Sequence, residues 1–396
     1  MHMQSFTIQE KKLIGGISLL LAIRMMGTSL IIPVFSIFAT GIDGASRPLA
    51  GLAVGIYGIA QMLFQIPMGR ISDRIGRKET VLAGLAIYFL GTLICGLSNN
   101  IYVLIISRAI AGAGAVSGVT MAWLSEGVNI NLRSTAMSYV GMSIGLSVIA
   151  GFSFSSLIAG HVGIPVLFFL ISGMTLLAMY ITVKYLNNVD EDKPVMDEEL
   201  HVDRRGLMMV LKHRDLLRLN VIGFFSNLSL TGMFFIMPLL INENMEIKAM
   251  WKIYVPMAVV GTMFMYYFGR KADTQGTRKI AMVAIFFQIT GIALPVLFSG
   301  LIPLFVSFAY FYIGHCILSP VLPSAVSRYP TTTDRGSIMS IFNSFQFLGS
   351  GLGGIISGFI GGYHPVFVFT FLEICVIVSF VLMSRFRNYS TDSFSS

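Results

Sequence analysis

The sequence predicts an all-α membrane protein with twelve transmembrane helices in two pseudo-symmetric six-helix bundles. Of its 396 residues, 55% are hydrophobic and 12% are charged, which leaves too little polar surface to cover a soluble globule of this length. The apolar residues fall into twelve long segments, and a charged sequence that separates two of them recurs 200 residues later. Composition therefore predicts a bilayer protein, and the recurrence predicts two related halves.

Each predicted helix is an apolar run close to the roughly 20 residues that a spanning helix needs. Six runs precede residue 190 and six follow it. We therefore predict a first bundle at 1–186, a cytoplasmic linker at 187–215 and a second bundle at 216–396. The twelve predicted helices are 12–36, 47–69, 78–97, 101–125, 134–160, 163–186, 216–241, 251–269, 279–299, 301–325, 336–360 and 365–386.

The repeated segment runs from Gly69 to Lys78, between the second and third apolar runs. A fixed offset shared by several residues of one charged turn indicates an internal repeat of about half the chain. The residues Gly69, Arg70, Asp73 and Gly76 recur as Gly269, Arg270, Asp273 and Gly276.

The Lys and Arg residues predict the orientation of the helices. If both termini are cytoplasmic, 22 of the 27 basic residues lie in inside segments, as the positive-inside rule expects. The net charge of +8 is then a topology signal, which argues against nucleic-acid binding. We expect a monomer in the lipid bilayer of the inner cell membrane.

Two arginines, Arg24 and Arg108, lie inside predicted helices. An arginine at the centre of a spanning helix costs about 2.5–3.5 kcal/mol on insertion scales, so each should face protein or a water-filled cavity. Two interpretations of Arg24 stay open. It either satisfies backbone carbonyls as a structural residue, or it serves a cavity or a coupling step.

The charged segment and one later motif resemble signatures of the major facilitator superfamily. Gly69 to Lys78 is similar to the superfamily's loop 2–3 signature, and the sequence from Arg108 to Ala115 is similar to its helix 4 signature, with Ala111 where glutamine is usual. Further motifs resemble the YajR-type branch of the drug:proton antiporters. These motifs are Arg24–Gly27 with Pro33, Gln65–Pro67, Trp251–Tyr254, Leu322–Ser324 and Ser344–Gly349.

The resemblance covers essentially the whole chain and implies the major facilitator fold with transport by alternating access. The chain departs from the helix 5 signature of the family's antiporters. Gly141, Gly145 and Gly151 are present, but Phe152 replaces the proline and Ser155 and Ser156 replace a glycine pair.

The charged segment is interpreted as a conformational latch. Asp73 is expected just past the end of helix 2, and the resemblance implies that it lies near the start of helix 11. Arg77 can pair with Glu126 at the cytoplasmic end of helix 4, because bidentate pairing with a carboxylate is directional. A solvated basic loop that only fixes topology is the alternative. The predicted latch residues are Gly69, Arg70, Asp73, Gly76, Arg77, Glu126, Gly269, Arg270 and Asp273.

A substrate cavity is expected near the membrane midplane, where repeats meet. Glu373 and His315 are the titratable residues at depth and, with Arg24 and Arg108, are candidates for proton coupling. The predicted cavity residues are Arg24, Met25, Arg108, Phe224, Asn227, His315, Asn343 and Gln346.

The sequence predicts proton-coupled efflux of small lipophilic or amphiphilic compounds. Soft Phe and Met side chains suit varied lipophilic ligands. A dedicated exporter of one metabolite, anionic in view of the two arginines, and a uniporter are alternatives. A membrane enzyme or a sensor would need a catalytic cluster or an output domain, and the sequence displays neither. No metal site or cofactor is expected.

Overall fold

The computed structural model describes residues 6–129, 132–186, 210, 212–328 and 335–386, apart from the side chains at 134, 273–274 and 335–337. Within these ranges the chain is helical and contains no strand. The helices are α1 Ile8–Gly41, α2 Arg47–Ile75, α3 Arg77–Leu97, α4 Ile101–Ala113, α5 Ser117–Gly127, α6 Arg133–Val162, α7 Ile164–Tyr185, α8 Arg214–Asn242, α9 Trp251–Gln275, α10 Thr277–Leu297, α11 Leu301–Ser327, α12 Arg335–Gly361 and α13 Pro365–Ser384.

Every predicted span coincides with a helix or, for the fourth span, with the pair α4 and α5. Ten spans of the described chain are long and apolar enough to cross a membrane, and the other two long helices are α9 and α12. The all-α prediction is confirmed. The predicted linker at 187–215 lies largely outside the described residues, and so does the chain from 329 to 334.

Several helices extend beyond their apolar runs, because local capping ends a helix and hydropathy does not. Helix α1 begins four residues early, where Thr7 and Glu10 form a capping box. Helix α2 continues to Ile75 and ends at Gly76. The prediction that Asp73 follows helix 2 was wrong, because Asp73 lies in the last turn of α2.

The fourth span was predicted as one continuous helix and is instead broken at residues 114–116. Helix α4 ends at Ala113, α5 begins at Ser117, and Val116 has the non-helical angles φ −115° and ψ 1°. The break begins within the motif that starts at Arg108, where glycines at 112 and 114 weaken the helix. It exposes backbone carbonyls that a continuous helix would bond internally.

The described chain separates into two compact units. The first comprises α1–α7 together with Met245–Val255, and the second comprises α8 and the chain from Pro256 onward. Within the first unit, Trp123, Ile17 and Leu85 are almost completely buried. Large apolar side chains remain exposed on the spanning helices, for example Met142 and Leu176, which suits helices that face lipid.

The second unit packs around α8. The neighbouring helices come closest to α8 at glycine residues. A Cβ at Gly353 of α12 would collide with the backbone carbonyl of Leu228 on α8. Phe234 of α8 contacts Phe308 of α11 edge to face, with ring centroids 4.8 Å apart. Small residues at such contacts bring helix backbones together in membranes.

The internal repeat is visible in the backbone. Gly76 joins α2 to α3 with φ 100°, and Gly276 joins α9 to α10 with φ 88°. Both turns need a left-handed conformation that glycine adopts without steric cost. The offset of 200 residues predicted from the sequence therefore relates equivalent turns.

We predict that Gly353→Ala destabilises the second unit by about 1–3 kcal/mol, the usual cost of overpacking. The added methyl group meets a backbone carbonyl that cannot rotate away. Gly173→Ala is the matched control, because a Cβ at exposed Gly173 has nothing within 4 Å. Unfolding in an SDS titration measures both variants. Equal midpoints for the two would contradict the close approach of α8 and α12.

Candidate functional site

The centre of the charged segment is an ion-pair cluster formed by Asp73, Arg77 and Glu126. Arg77 donates from Nη2 to Oε1 of Glu126 at 2.7 Å and from Nε to Oε2 at 3.1 Å, so the predicted pair is present and bidentate. Its Nη1 lies 2.6 Å from Oδ1 of Asp73 and also donates to the Ser72 hydroxyl. The cluster therefore ties the end of α2 and the start of α3 to the end of α5.

The remaining latch residues of the first unit frame this cluster. Gly69 lies one turn before Asp73 and accepts a hydrogen bond from Ser72 at 2.6 Å. Arg70 is exposed on α2, and Gly76 supplies the turn before Arg77. Ser72 lies within the charged segment but was not among the predicted latch residues, and it is 2% exposed.

The second copy of the segment has different chemistry. Thr277 stands where the offset would place Arg77. Arg270 stacks on the ring of Tyr266, with its guanidinium carbon 4.3 Å from the centroid. Gly269 and the backbone of Asp273 lie in α9, and the side chain of Asp273 is outside the described residues. The repeat thus preserves the turn, while threonine stands in place of the arginine that forms the ion pairs of the first copy.

Arg24 lies at the break between α4 and α5. It is 4% exposed, and its Nη1 donates to the carbonyl of Gly114 at 3.0 Å. Its guanidinium carbon lies 5.4 Å from the centroid of the Tyr88 ring. Since a helix C-terminus carries partial negative charge, the end of α4 compensates this cation. The contact is the one that the structural interpretation of Arg24 expects.

Arg108 is held differently, against two aromatic rings. Its guanidinium carbon lies 4.7 Å from the centroid of Phe35 and 4.4 Å from that of Tyr57. Its Nε donates to the carbonyl of Ala53 at 3.4 Å. Arg108 lines a cavity of about 20 Å³ in the first unit, together with Gly27, Thr28, Ile31, Ile32, Tyr57, Tyr88, Thr92, Phe168 and Ile171.

The predicted cavity residues of the second unit lie mainly on two adjoining helices. Phe224 and Asn227 are on α8, and Asn343 and Gln346 are on α12. A Cβ at Gly223 would lie 3.6 Å from Cγ of Gln346, which places that residue against α8. The four side chains are half-buried. Met25 is likewise half-buried, in α1 of the first unit.

His315 belongs to a polar chain whose other members were not predicted. Its Nδ1 lies 3.2 Å from the hydroxyl of Ser226, and Nε2 of Gln288 lies 3.5 Å from the same hydroxyl. Ser226 and Gln288 are 4% and 1% exposed. These contacts between polar side chains join α11, α8 and α10. The sequence signal that could have revealed these contacts was Gln288, because a glutamine inside a spanning helix requires hydrogen-bond partners.

Glu373 is the ninth residue of the twenty in α13. The carboxylate is half-buried, and its Oε2 is buried without a hydrogen-bond partner among the described residues. An ionised carboxylate without a partner is costly at this depth. Its role in proton coupling stays a prediction.

The described residues contain no group of three or more His, Cys, Asp or Glu side chains that could hold a metal ion. Cys95, Cys316 and Cys375 are free thiols, and all three are buried.

Comparison with known proteins identifies the family to which this chain belongs. Residues 17–354 match the family described as the Major Facilitator Superfamily. The chain is 29% identical to the inner membrane transport protein YajR of Escherichia coli strain K12 over 91% of this chain and 80% of that protein. It is 24% identical to multidrug resistance protein 2 of Bacillus subtilis strain 168 over 98% of each.

The fold also matches solved structures. A bacterial homologue of the human lysosomal transporter Spinster, in an inward-facing and unoccupied conformation, aligns with a TM-score of 0.78 and 13% identity over 98% of this chain and 100% of that one. The protein is a multi-pass membrane transporter and not an enzyme. It belongs to the major facilitator superfamily, and its resemblance to the YajR-type branch is confirmed.

We predict that Arg77 and Glu126 are energetically coupled. A double-mutant cycle of Arg77→Ala and Glu126→Gln, measured by SDS unfolding, should give a coupling free energy of about 1 kcal/mol, because the pair is bidentate. The Glu246 and Lys248 pair is the control. The Lys248 hydrogen bond and charge lower the pKa of Glu246, but this exposed pair should show no measurable coupling. Equal results for the two pairs would refute the prediction.

Proposed function

We propose that this transporter works by alternating access and exports small lipophilic or amphiphilic compounds in exchange for protons. The observation that carries the proposal is Glu373, whose Oε2 is buried without a partner in the described part of the chain. Antiport needs a group that exchanges a proton according to substrate occupancy. A carboxyl group in an apolar helix responds strongly to a nearby substrate charge, because little solvent screens it.

The efflux direction is supported by relatives. Multidrug resistance protein 2 of Bacillus subtilis aligns over 98% of both chains, and its name describes resistance to many drugs. The aromatic side chains in the second unit suit ligands of this kind. Phe224 and Phe225 form an edge-to-face pair on α8 with centroids 5.2 Å apart.

The Asp73–Arg77–Glu126 cluster is proposed as the latch of one conformer. It joins three helix ends through charge-assisted bonds of 2.6–3.1 Å. Contacts that form in only one conformer shift the equilibrium between conformers when they are removed.

In this chain serines replace a glycine pair of the helix 5 signature of antiporters, and one of these serines contacts α1. Ser155 donates to the carbonyl of Leu30 on α1 at 2.7 Å. Uniport is therefore the second candidate function, and proton dependence decides between the two. In either case we propose a monomer in the inner membrane with both termini cytoplasmic.

We predict that Glu373→Gln abolishes proton-driven accumulation in proteoliposomes but permits downhill exchange. The amide keeps the shape of the side chain and cannot release the coupled proton. The assay measures, with a pH-sensitive dye, proton movement driven by each compound of a panel of lipophilic dyes. Glu243→Gln, at an exposed acid that follows α8, should behave like the wild type.

Should Glu373→Gln and His315→Gln both keep a rate that depends on the proton gradient, Glu373 is not the coupling residue. Asp73 or Glu126 would then be the next carriers to test. A wild-type rate that is independent of the gradient would establish uniport.

We also predict that Asp73→Asn and Arg77→Ala slow transport while expression and membrane insertion persist. The physical reason is that the cluster stabilises one conformer more than the other. Accessibility labelling of engineered cysteines at the two mouths of the transporter should show a shifted inward/outward population. Normal cycling by both variants would leave the charged segment with a topological role alone.

A further inference from the structure

The side-chain partners of Arg77 differ in how firmly the protein holds them. The side chain of Arg77 is 15% exposed, whereas those of Asp73 and Glu126 are 37% and 45% exposed. Ser72 is 2% exposed. The two carboxylates can exchange a contact with Arg77 for water, which makes exposed ion pairs weak. The partner with the most restricted position is therefore the neutral hydroxyl of Ser72.

The hydroxyl of Ser72 acts as an acceptor toward Arg77. A serine hydroxyl has a single hydrogen, and Ser72 donates it to the carbonyl of Gly69 at 2.6 Å. The oxygen lone pairs remain for Nη1 of Arg77, which donates to them. Gly69 and Ser72 both lie in α2. The helix itself thus fixes the direction of this acceptor.

A fixed contact at one nitrogen restricts the whole guanidinium group of Arg77. Nη1 contacts Ser72 and Asp73, while Nε and Nη2 donate to Glu126. Because the guanidinium is a rigid fork, the bond from Nη1 to Ser72 limits the directions in which Nε and Nη2 can point. A side chain that is already oriented loses less entropy when its ion pair forms. Ser72 therefore favours the bidentate pair with Glu126 without carrying charge itself.

The internal repeat separates this role from a role in the turn. The second copy keeps its glycine turn at Gly276, but Ala272 stands where the offset of 200 residues places Ser72, and Thr277 stands where it places Arg77. The turn therefore forms without the serine. The serine occurs in the copy that has the arginine and is replaced in the copy that lacks it, as expected of a residue that acts on the arginine.

We propose that Ser72 is a positioning residue that orients Arg77 toward Glu126 on α5. The inference deepens the proposed latch, on which it rests for its place in transport, by adding a neutral residue to the charged cluster. Threonine should be able to replace the serine, because its hydroxyl can also bond to a carbonyl three or four residues earlier in a helix.

The test is whether Ser72 changes the coupling between Arg77 and Glu126. The double-mutant cycle of Arg77→Ala and Glu126→Gln is measured by SDS unfolding of the full-length protein, in the wild-type background and with Ser72→Ala. The coupling free energy should fall by at least about half in the second background, because contacts within one hydrogen-bond network are not additive. Ser72→Ala should fold, since alanine favours a helix and occupies this position in the second copy.

Two further variants provide the comparison. Ser125→Ala is the matched control, because it removes a half-buried hydroxyl next to Glu126 that donates to the carbonyl of Ala122. It should leave the coupling unchanged. Ser72→Thr keeps the hydroxyl and should retain most of the coupling. A residue that only stabilised its helix would lower the stability of every variant in the cycle equally, and the coupling would not change.

An unchanged coupling in folded Ser72→Ala would overturn the proposal, and so would an equal loss of coupling in Ser125→Ala. A coupling too small to measure in the wild type would also count against it, because there would then be no pair to orient. Accessibility labelling tests the latch separately. If Arg77→Ala leaves the inward/outward population unchanged while Ser72→Ala weakens the pair, the latch is wrong and the positioning role of Ser72 stands.

Discussion

Inside a hydrocarbon layer, no water compensates a charge or a broken backbone hydrogen bond, so the protein has to do so itself. The interior of the first unit follows from this constraint. The break after Ala113 frees a carbonyl, and Arg24 supplies the donor that it requires. Each feature would be costly alone. Together they stabilise a discontinuous span next to the two aromatic rings that contact Arg108.

The positions of the spans were predictable because membrane insertion depends on long apolar runs, which hydropathy reports directly. Helix ends were less predictable, because they depend on caps and turns. The capping box of Thr7 and Glu10 was readable in the sequence, yet the apolar run begins later. The break at 114–116 lies within a run of uniform hydropathy, so only the glycines marked it.

The candidate site was predictable where it consists of charged residues, because these are rare along the chain. The basic cluster at 69–78 and the single acid at the end of the predicted helix 4 identified Arg77 and Glu126 as partners. Ser226 and Gln288 were not predicted, because serine and glutamine often serve helix packing and nothing in their local sequence indicates His315 as the neighbour. The two rings around Arg108 come from α1 and α2, and contacts between distant segments have no local signature.

The paired turns at Gly76 and Gly276 bear on the history of the chain. A duplicated ancestral half would have given both copies the same backbone turn, and both retain glycine with φ near 100° and 88°. The side chains that follow have diverged, since Arg77 corresponds to Thr277. Divergence after duplication has thus changed the charge at this position, while the glycine turn before it is the same in both copies. In the N-terminal copy the arginine that follows the turn forms ion pairs, and in the C-terminal copy threonine occupies that position.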